Sequence, residues 1–141
     1  MKKKVALNGF GRIGRLVYRA FLERSNEFSD QYEIAYINDL ADIDTNIHLL
    51  KYDSIHGPLS KEINKISNEQ FSIEENKVTV TSERNPIDLK WSDKNVDIIL
   101  ECTGVFASKE KAMSHVESGS SKVIVSAPCS GADIAVVQGV N

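Results

Sequence analysis

Apolar residues in this chain come in short runs separated by polar ones, and their spacing switches between the period of a strand and that of a helix. Residues 3–8 (KKVALN) read as a strand, with an apolar run short enough for a central parallel position. Ile13, Leu16, Val17, Ala20 and Phe21 then fall at i, i+3, i+4, i+7 and i+8, which predicts an amphipathic helix running to about Arg24 with that stripe as its apolar face. Polar residues 25–31 (SNEFSDQ) read as a loop before a second strand at 32–38 (YEIAYIN). Residues 42–52 (DIDTNIHLLKY) suit a helix, with Asp42 or Asp44 near its start and Ile43, Ile47 and Leu50 on one face.

The stretch 60–83 has a different character. Short runs such as EINKIS, FSIE and KVTVT, broken by Asn-Glu and Glu-Glu-Asn turns, predict antiparallel strands inserted into the α/β pattern. Pro86 then forces an extended or turn geometry at Asn85. Beyond it, 96–101 (VDIILE) reads as a buried strand, 108–118 (SKEKAMSHVES) as a helix capped by Ser108, and 123–126 (VIVS) as another strand. A loop follows at 128–133, and 134–140 offers the start of one more strand. The order β-α-β-α, a β insertion, then β-α-β argues for an α/β domain of the Rossmann type. Such a domain has a doubly wound, mostly parallel sheet with helices on both faces, here with a small antiparallel β insertion.

Composition narrows the class further. The 141 residues fit one domain, and 41% apolar with 26% charged residues is a soluble globular profile. A net charge of −3 and a pI near 5.6 give no drive toward nucleic acid or an anionic membrane. Lys2, Lys3 and Lys4 lead directly into a strand and read as a solvated edge. No run approaches the roughly 18 apolar residues of a membrane span, and no signal-peptide core follows the lysines. A cytoplasmic location is the default expectation. The two cysteines, Cys102 and Cys129, form neither a C-x-x-C pair nor a disulfide framework, in keeping with a reducing compartment.

Candidate chemistry begins at Gly9, Gly11 and Gly14, a G-x-G-x-x-G spacing between the first strand and its helix. Gly9 suits a tight turn, Gly11 lets a pyrophosphate approach the backbone, and Gly14 lets the helix pack closely. Unpartnered N–H groups at the positive end of the helix dipole favour phosphate. Asp39 stands 25 residues after Gly14, at the end of the second strand, where a carboxylate binds an adenosine ribose and repels the 2′-phosphate of NADP. NAD is the predicted cofactor. The competing reading, in which the glycines serve packing alone and Asp39 caps the next helix, makes four coincident features accidental.

Other polar residues carry less. His48 and His56, eight residues apart, match no common metal pattern and read as surface or hydrogen-bonded histidines, and His115 reads as plain helix surface. No metal site is expected. Cys102 ends an apolar strand as a small hydrophobe, and Cys129 has no histidine placed beside it, so no catalytic residue is assigned.

A longer set of blocks is more specific than the glycines. NGFGRIGR (8–15), INDL (37–40), LLKYDSIHG (49–57), SERNP (82–86), ECTGVF (101–106), KEKA (109–112), VIVSAP (123–128) and GVN (139–141) occur in the order seen in phosphorylating glyceraldehyde-3-phosphate dehydrogenases. The chain resembles the N-terminal NAD-binding part of that family over essentially its whole length. The resemblance implies a turn of Gly9, Phe10, Gly11 and Gly14 facing the cofactor, with Arg12 and Ile13 at its pyrophosphate. It also implies Asp39 at the adenosine ribose with Asn38 beside it, and Arg84 along the adenine side. Thr103 and Gly104 would line the cofactor path, and Ser126 would sit toward the nicotinamide.

The same resemblance implies the chemistry of a longer enzyme. A thiolate attacks the aldehyde of glyceraldehyde 3-phosphate with a histidine as base, hydride passes to NAD, and inorganic phosphate releases 1,3-bisphosphoglycerate. The family's catalytic cysteine lies in an S-C-T-T-N motif that would follow Asn141, with its histidine further on, so residues 1–141 are expected to be an inactive NAD-binding domain. The family's members are usually homotetramers. Pro58-Leu59 departs from the Arg-Phe that usually follows His-Gly there. Two other readings stay open: the corresponding domain of an erythrose-4-phosphate dehydrogenase, and a nucleotide-binding module with no chemistry of its own.

Overall fold

The apolar run at the N-terminus forms β1 (Lys3–Asn8), and parallel strands flank it on both sides in a computed structural model that describes residues 1–141. The chain continues through α1 (Arg12–Glu23), the single turn α2 (Ser25–Phe28), β2 (Tyr32–Asn38) and α3 (Ile43–Lys51). Next come β3 (Tyr52–Asp53), β4 (Gly57–Pro58), β5 (Ile63–Ser67), β6 (Gln70–Ile73) and β7 (Asn76–Thr81). A 3-10 turn at Pro86–Leu89 leads to β8 (Ile98–Glu101), α4 (Lys109–Glu117) and β9 (Lys122–Val125). Seven strands make one sheet in the order β5-β6-β7-β2-β1-β8-β9, while β3 and β4 form a ladder of their own. From β7 to β9 all pairings are parallel, and β5 and β6 extend the β7 edge as an antiparallel meander.

Several sequence expectations need correction. The last strand of the expected insertion, β7, is the third parallel strand of the main sheet, because it returns alongside β2. The predicted loop at 25–31 contains α2. Residues 134–140 form no strand; no ladder accepts them, and the Val140 N–H instead closes a turn onto the Val137 carbonyl at 3.0 Å.

The pairing of β1 with β2 slips between Val5 and Ala6, which face Ile34 and Tyr36, so Ala35 is an extra residue. That bulge lets Ile34 and Ile37 both enter the larger core with Val5 and Leu7. Phe10, Tyr18 and Phe71 meet there edge to face, with ring centroids 6.2 and 6.4 Å apart. A second core on the other face joins Ala6 and Ile99 to Leu89, Trp91 and Val96, beside α4. Parallel sheets bury both faces, and these two clusters are how this one does so.

The buried row of α1 is not the predicted stripe. Gly14, Tyr18 and Leu22 face the sheet, whereas Ile13 and Ala20 are exposed and Val17 and Phe21 are half-buried. The cause is Gly14. A Cβ there would lie 2.3 Å from the Gly9 carbonyl oxygen, so only glycine lets the helix seat this deeply, and its row follows it inward. Val17 and Phe21 turn instead to an apolar groove with Phe28, Ile98, Leu100 and Ile124. Arg19 is buried against the end of α3, where its Nε and Nη2 donate to the Leu50 carbonyl at 3.2 and 2.7 Å and Nη2 to Lys51 at 3.2 Å. Those are carbonyls the helix leaves without partners.

Candidate functional site

The carboxyl ends of the parallel strands carry every residue that sequence reasoning placed in the site. Arg84 follows β7, Asn38 and Asp39 close β2, the glycine turn follows β1, Thr103 and Gly104 follow β8, and Ser126 follows β9. In the sheet these ends lie in the order β7-β2-β1-β8-β9. Five strands at about 4.8 Å spacing give a rim about 19 Å long. The chain leaves β1 toward β2 but later returns to the opposite side of β1 with β8, which makes this end a topological switch point, where such sheets bind ligands.

The glycine turn is built as its spacing demands. Gly9 has φ +95°, and its N–H donates to the Asn38 carbonyl at 2.7 Å. Its own side is crowded: a Cβ would lie 2.9 Å from the Thr103 nitrogen. Gly11 precedes α1 as its N-cap with φ −75°, and apart from its chain neighbours a Cβ there would meet nothing within 4 Å. Neither conformation nor packing requires glycine at 11, and a methyl group there would enter only the open space in front of α1. No side chain caps this helix, and no acidic residue stands in its first turn. The N–H groups of Arg12, Ile13 and Gly14 are therefore free of intrahelical partners at the positive end of the dipole.

Asp39 sits beside the turn. Its Oδ1 accepts from the Phe10 N–H at 2.9 Å and its Oδ2 from the Ala41 N–H at 3.0 Å. Each oxygen keeps a lone pair for a further donor. Asp39 does not cap α3; Asp42 does, accepting from the Thr45 N–H at 2.7 Å. Phe10 is a core side chain whose N–H serves Asp39, so it shapes the turn from behind. Asn38 is buried too. Its amide donates to Asn8 Oδ1 and the Glu83 carbonyl, both at 2.8 Å, and its oxygen accepts from Thr81 and from the Glu83 N–H. It holds the loop that bears the exposed Arg84.

Arg12, at the first position of α1, reaches Asp53 with its Nη1 3.6 Å from Oδ2. Hydrogen bonds from the His56 and Ile55 amides hold the Asp53 carboxyl below the usual carboxylate range, assisted by Arg12. Sequence reasoning left Asp53 unassigned; its place four residues after Leu49 in LLKYDSIHG gave no hint of a contact with Arg12. Thr103, Gly104 and Ser126 are exposed on the rim, and the Ser126 N–H donates to the Glu101 carbonyl at 3.0 Å. Burial pushes the Cys102 thiol above its ordinary range, and the Glu101 charge adds to this, so it is a poor nucleophile. His48 and His56 are exposed. His115, expected at the surface, is fully buried, because Trp91 and Glu101 satisfy both ring nitrogens. No group of three or more His, Cys, Asp or Glu side chains is placed to hold a metal ion, and no helix is long and apolar enough to cross a membrane.

This arrangement can hold an extended dinucleotide, with its phosphates at an uncapped helix end and a carboxylate beside it for a sugar. Comparison with known proteins agrees. Residues 3–109 match the family model described as "Glyceraldehyde 3-phosphate dehydrogenase, NAD binding domain". The whole chain is 45% identical to a glyceraldehyde-3-phosphate dehydrogenase of Xanthobacter flavus and 44% identical to one of Geobacillus stearothermophilus, covering 41% and 40% of their lengths. A relative from Thermotoga maritima is 46% identical over 98% of the chain and 40% of its own length. The chain thus spans about two fifths of the length of these relatives. Its fold, its glycine turn and this similarity together show that the chain belongs to the NAD-binding domain family of the glyceraldehyde-3-phosphate dehydrogenases.

Proposed function

We propose that residues 1–141 bind NAD along the strand ends from β7 to β9 and serve as the nucleotide-binding part of a longer, phosphorylating glyceraldehyde-3-phosphate dehydrogenase. The observation that carries this is the order of loops along the rim, with the carboxylate, the uncapped helix end and the Thr103 loop in one line. Arg84 lies along the adenine, and Asp39 receives the ribose hydroxyls. The free amides of Arg12, Ile13 and Gly14 take the pyrophosphate over Gly11, while the Arg12 side chain stays tethered to Asp53. Thr103 and Gly104 direct the remainder toward Ser126 at the nicotinamide end. When bound, NAD supplies a hydride acceptor; this chain orients it and performs no bond-breaking of its own.

The complete enzyme, on this reading, oxidises and phosphorylates glyceraldehyde 3-phosphate to 1,3-bisphosphoglycerate, with inorganic phosphate as second substrate, as a cytoplasmic homotetramer. The match of residues 3–109 to an NAD-binding domain supports assigning the cofactor role to this chain. Calorimetric titration of the 141-residue chain with NAD tests the proposal. Binding without dehydrogenase turnover is expected. A folded chain that takes up no NAD at millimolar concentration refutes the cofactor role, and measurable turnover refutes the division of labour.

A further inference from the structure

One buried carboxylate fastens the middle of the rim from below. Glu101 is 1% exposed and accepts four hydrogen bonds. Its Oε1 takes the Asn8 amide at 2.6 Å and His115 Nε2 at 2.8 Å. Its Oε2 takes the Thr103 N–H at 2.9 Å and the Thr103 hydroxyl at 2.6 Å. Burial alone would raise the carboxyl's pKa, but the bonds from His115, Thr103 and Asn8 outweigh it and hold Glu101 below the usual range. On the far side of the imidazole, the Trp91 indole N–H donates to His115 Nδ1 at 3.0 Å. Nδ1 is therefore an acceptor, and the proton of the neutral ring sits on Nε2, aimed at Glu101.

The other ends of these bonds lie in the cofactor site. The Thr103 hydroxyl, while donating to Glu101, accepts from the Val105 N–H at 3.1 Å, which closes the 103–105 segment into a turn. That turn presses on the glycine loop so closely that a Cβ on Gly9 would lie 2.9 Å from the Thr103 nitrogen. Asn8, on Oε1, is the last residue of β1 and bonds onward to Asn38. We propose that Glu101 is a positioning residue for the cofactor: its carboxylate, oriented by His115, sets the Thr103–Gly104 turn against Gly9 and so preorganises the path between pyrophosphate and nicotinamide. This inference rests on the NAD reading above, and Glu101 itself touches no cofactor.

Glu101→Gln tests it at nearly constant shape. A carboxamide has one accepting oxygen, yet donors surround both of its terminal positions, so its NH2 must face at least one N–H or O–H head-on. In the 141-residue chain, NAD affinity is expected to fall about tenfold or more. Amide hydrogen exchange should accelerate at Thr103 and Val105 while Leu7 and Ile99 in the sheet stay protected. The ring 15N shifts of His115 should keep the Nε2–H pattern, because the Trp91 indole still donates to Nδ1, while the Nε2 resonance moves with the loss of its carboxylate partner. A purely structural role would lower protection everywhere and leave affinity unchanged wherever the variant is folded. If Glu101→Gln fails to fold, Thr103→Val removes the hydroxyl's bond to Oε2 and also the bond it accepts from the Val105 N–H. The Thr103 N–H, which still reaches Oε2, is then the readout: its exchange is expected to accelerate and NAD binding to weaken. Wild-type affinity in a folded variant, or unchanged exchange at 103 and 105, overturns the inference. A wild-type chain that binds no NAD refutes the cofactor reading instead, and the exchange data still decide whether Glu101 holds the turn.

Discussion

Gly11 and Gly14 stand three residues apart in one motif, yet adding a methyl group should damage different properties at each. At Gly14 the new Cβ would begin 2.3 Å from the Gly9 carbonyl oxygen, and that gap must open by about 1 Å before ordinary contact is reached. Overpacking of this kind costs about 1–3 kcal/mol, and displacement of a backbone carbonyl belongs at the upper end. Alanine's better helix propensity returns about 1 kcal/mol. The net expectation is a loss of about 1–2 kcal/mol, or several degrees in Tm. Gly11→Ala meets open space at an ordinary φ, so its small N-cap penalty and its reduced unfolded-state entropy roughly cancel. Stability should therefore stay within about 1 kcal/mol of wild type. NAD affinity should nevertheless fall at least tenfold if the pyrophosphate lies over Gly11 as proposed, because the methyl would enter the space it needs. Thermal unfolding followed by circular dichroism, paired with calorimetry, separates the two. A stabilised Gly14→Ala, or a Gly11→Ala that binds NAD normally, would refute the reasoning.

If Asp39 takes the ribose as proposed, Asp39→Ala should weaken NAD binding and narrow the gap between NAD and NADP, because ribose hydrogen bonds and 2′-phosphate repulsion would disappear together; an unchanged preference in competition titrations removes Asp39 from the site. Arg19→Met keeps the buried stem but strips three hydrogen bonds from the end of α3, and urea unfolding should show a loss of about 2–3 kcal/mol. Tyr18 is buried with a hydroxyl that has no hydrogen-bond partner, and burial pushes its phenol pKa up. Tyr18→Phe should then be neutral or stabilising by about 1 kcal/mol in the same assay, whereas a clear destabilisation would mean that the hydroxyl has a partner.

What could be read in the sequence was what local chemistry decides. The glycine spacing, Asp39 at a strand end and the Ser108 cap are short-range signals, and each stands where its pattern placed it; of the two aspartates offered at the start of α3, Asp42 is the cap and Asp44 lies in the first turn. The buried row of α1 could not be read the same way, because its apolar stripe is broader than the row one face can bury. Gly14, not the stripe, decides which row that is. His115 looked like helix surface because the residues that satisfy it, Trp91 and Glu101, come from distant segments. Asp53 and Arg19 were silent for the same reason: their partners are a guanidinium and a set of helix-end carbonyls that adjoin only after the sheet has assembled. The apparent strand at 134–140 had the right composition and lacked a neighbour.

The bulge at Ala35 gives the second strand one residue of slack. Ile34 pairs with Val5 and Tyr36 with Ala6, so removing Ala35 would leave a strand of plain alternation with the same partners. Asn38 opposite Asn8, and Asp39 beyond it, would keep their places. A change of chain length that elsewhere in a strand would turn every later side chain to the opposite face can here be absorbed before it reaches the carboxylate. The amino half of β2 is thus free to drift in length while the cofactor end stays in register, and deletion of Ala35 should leave NAD preference intact.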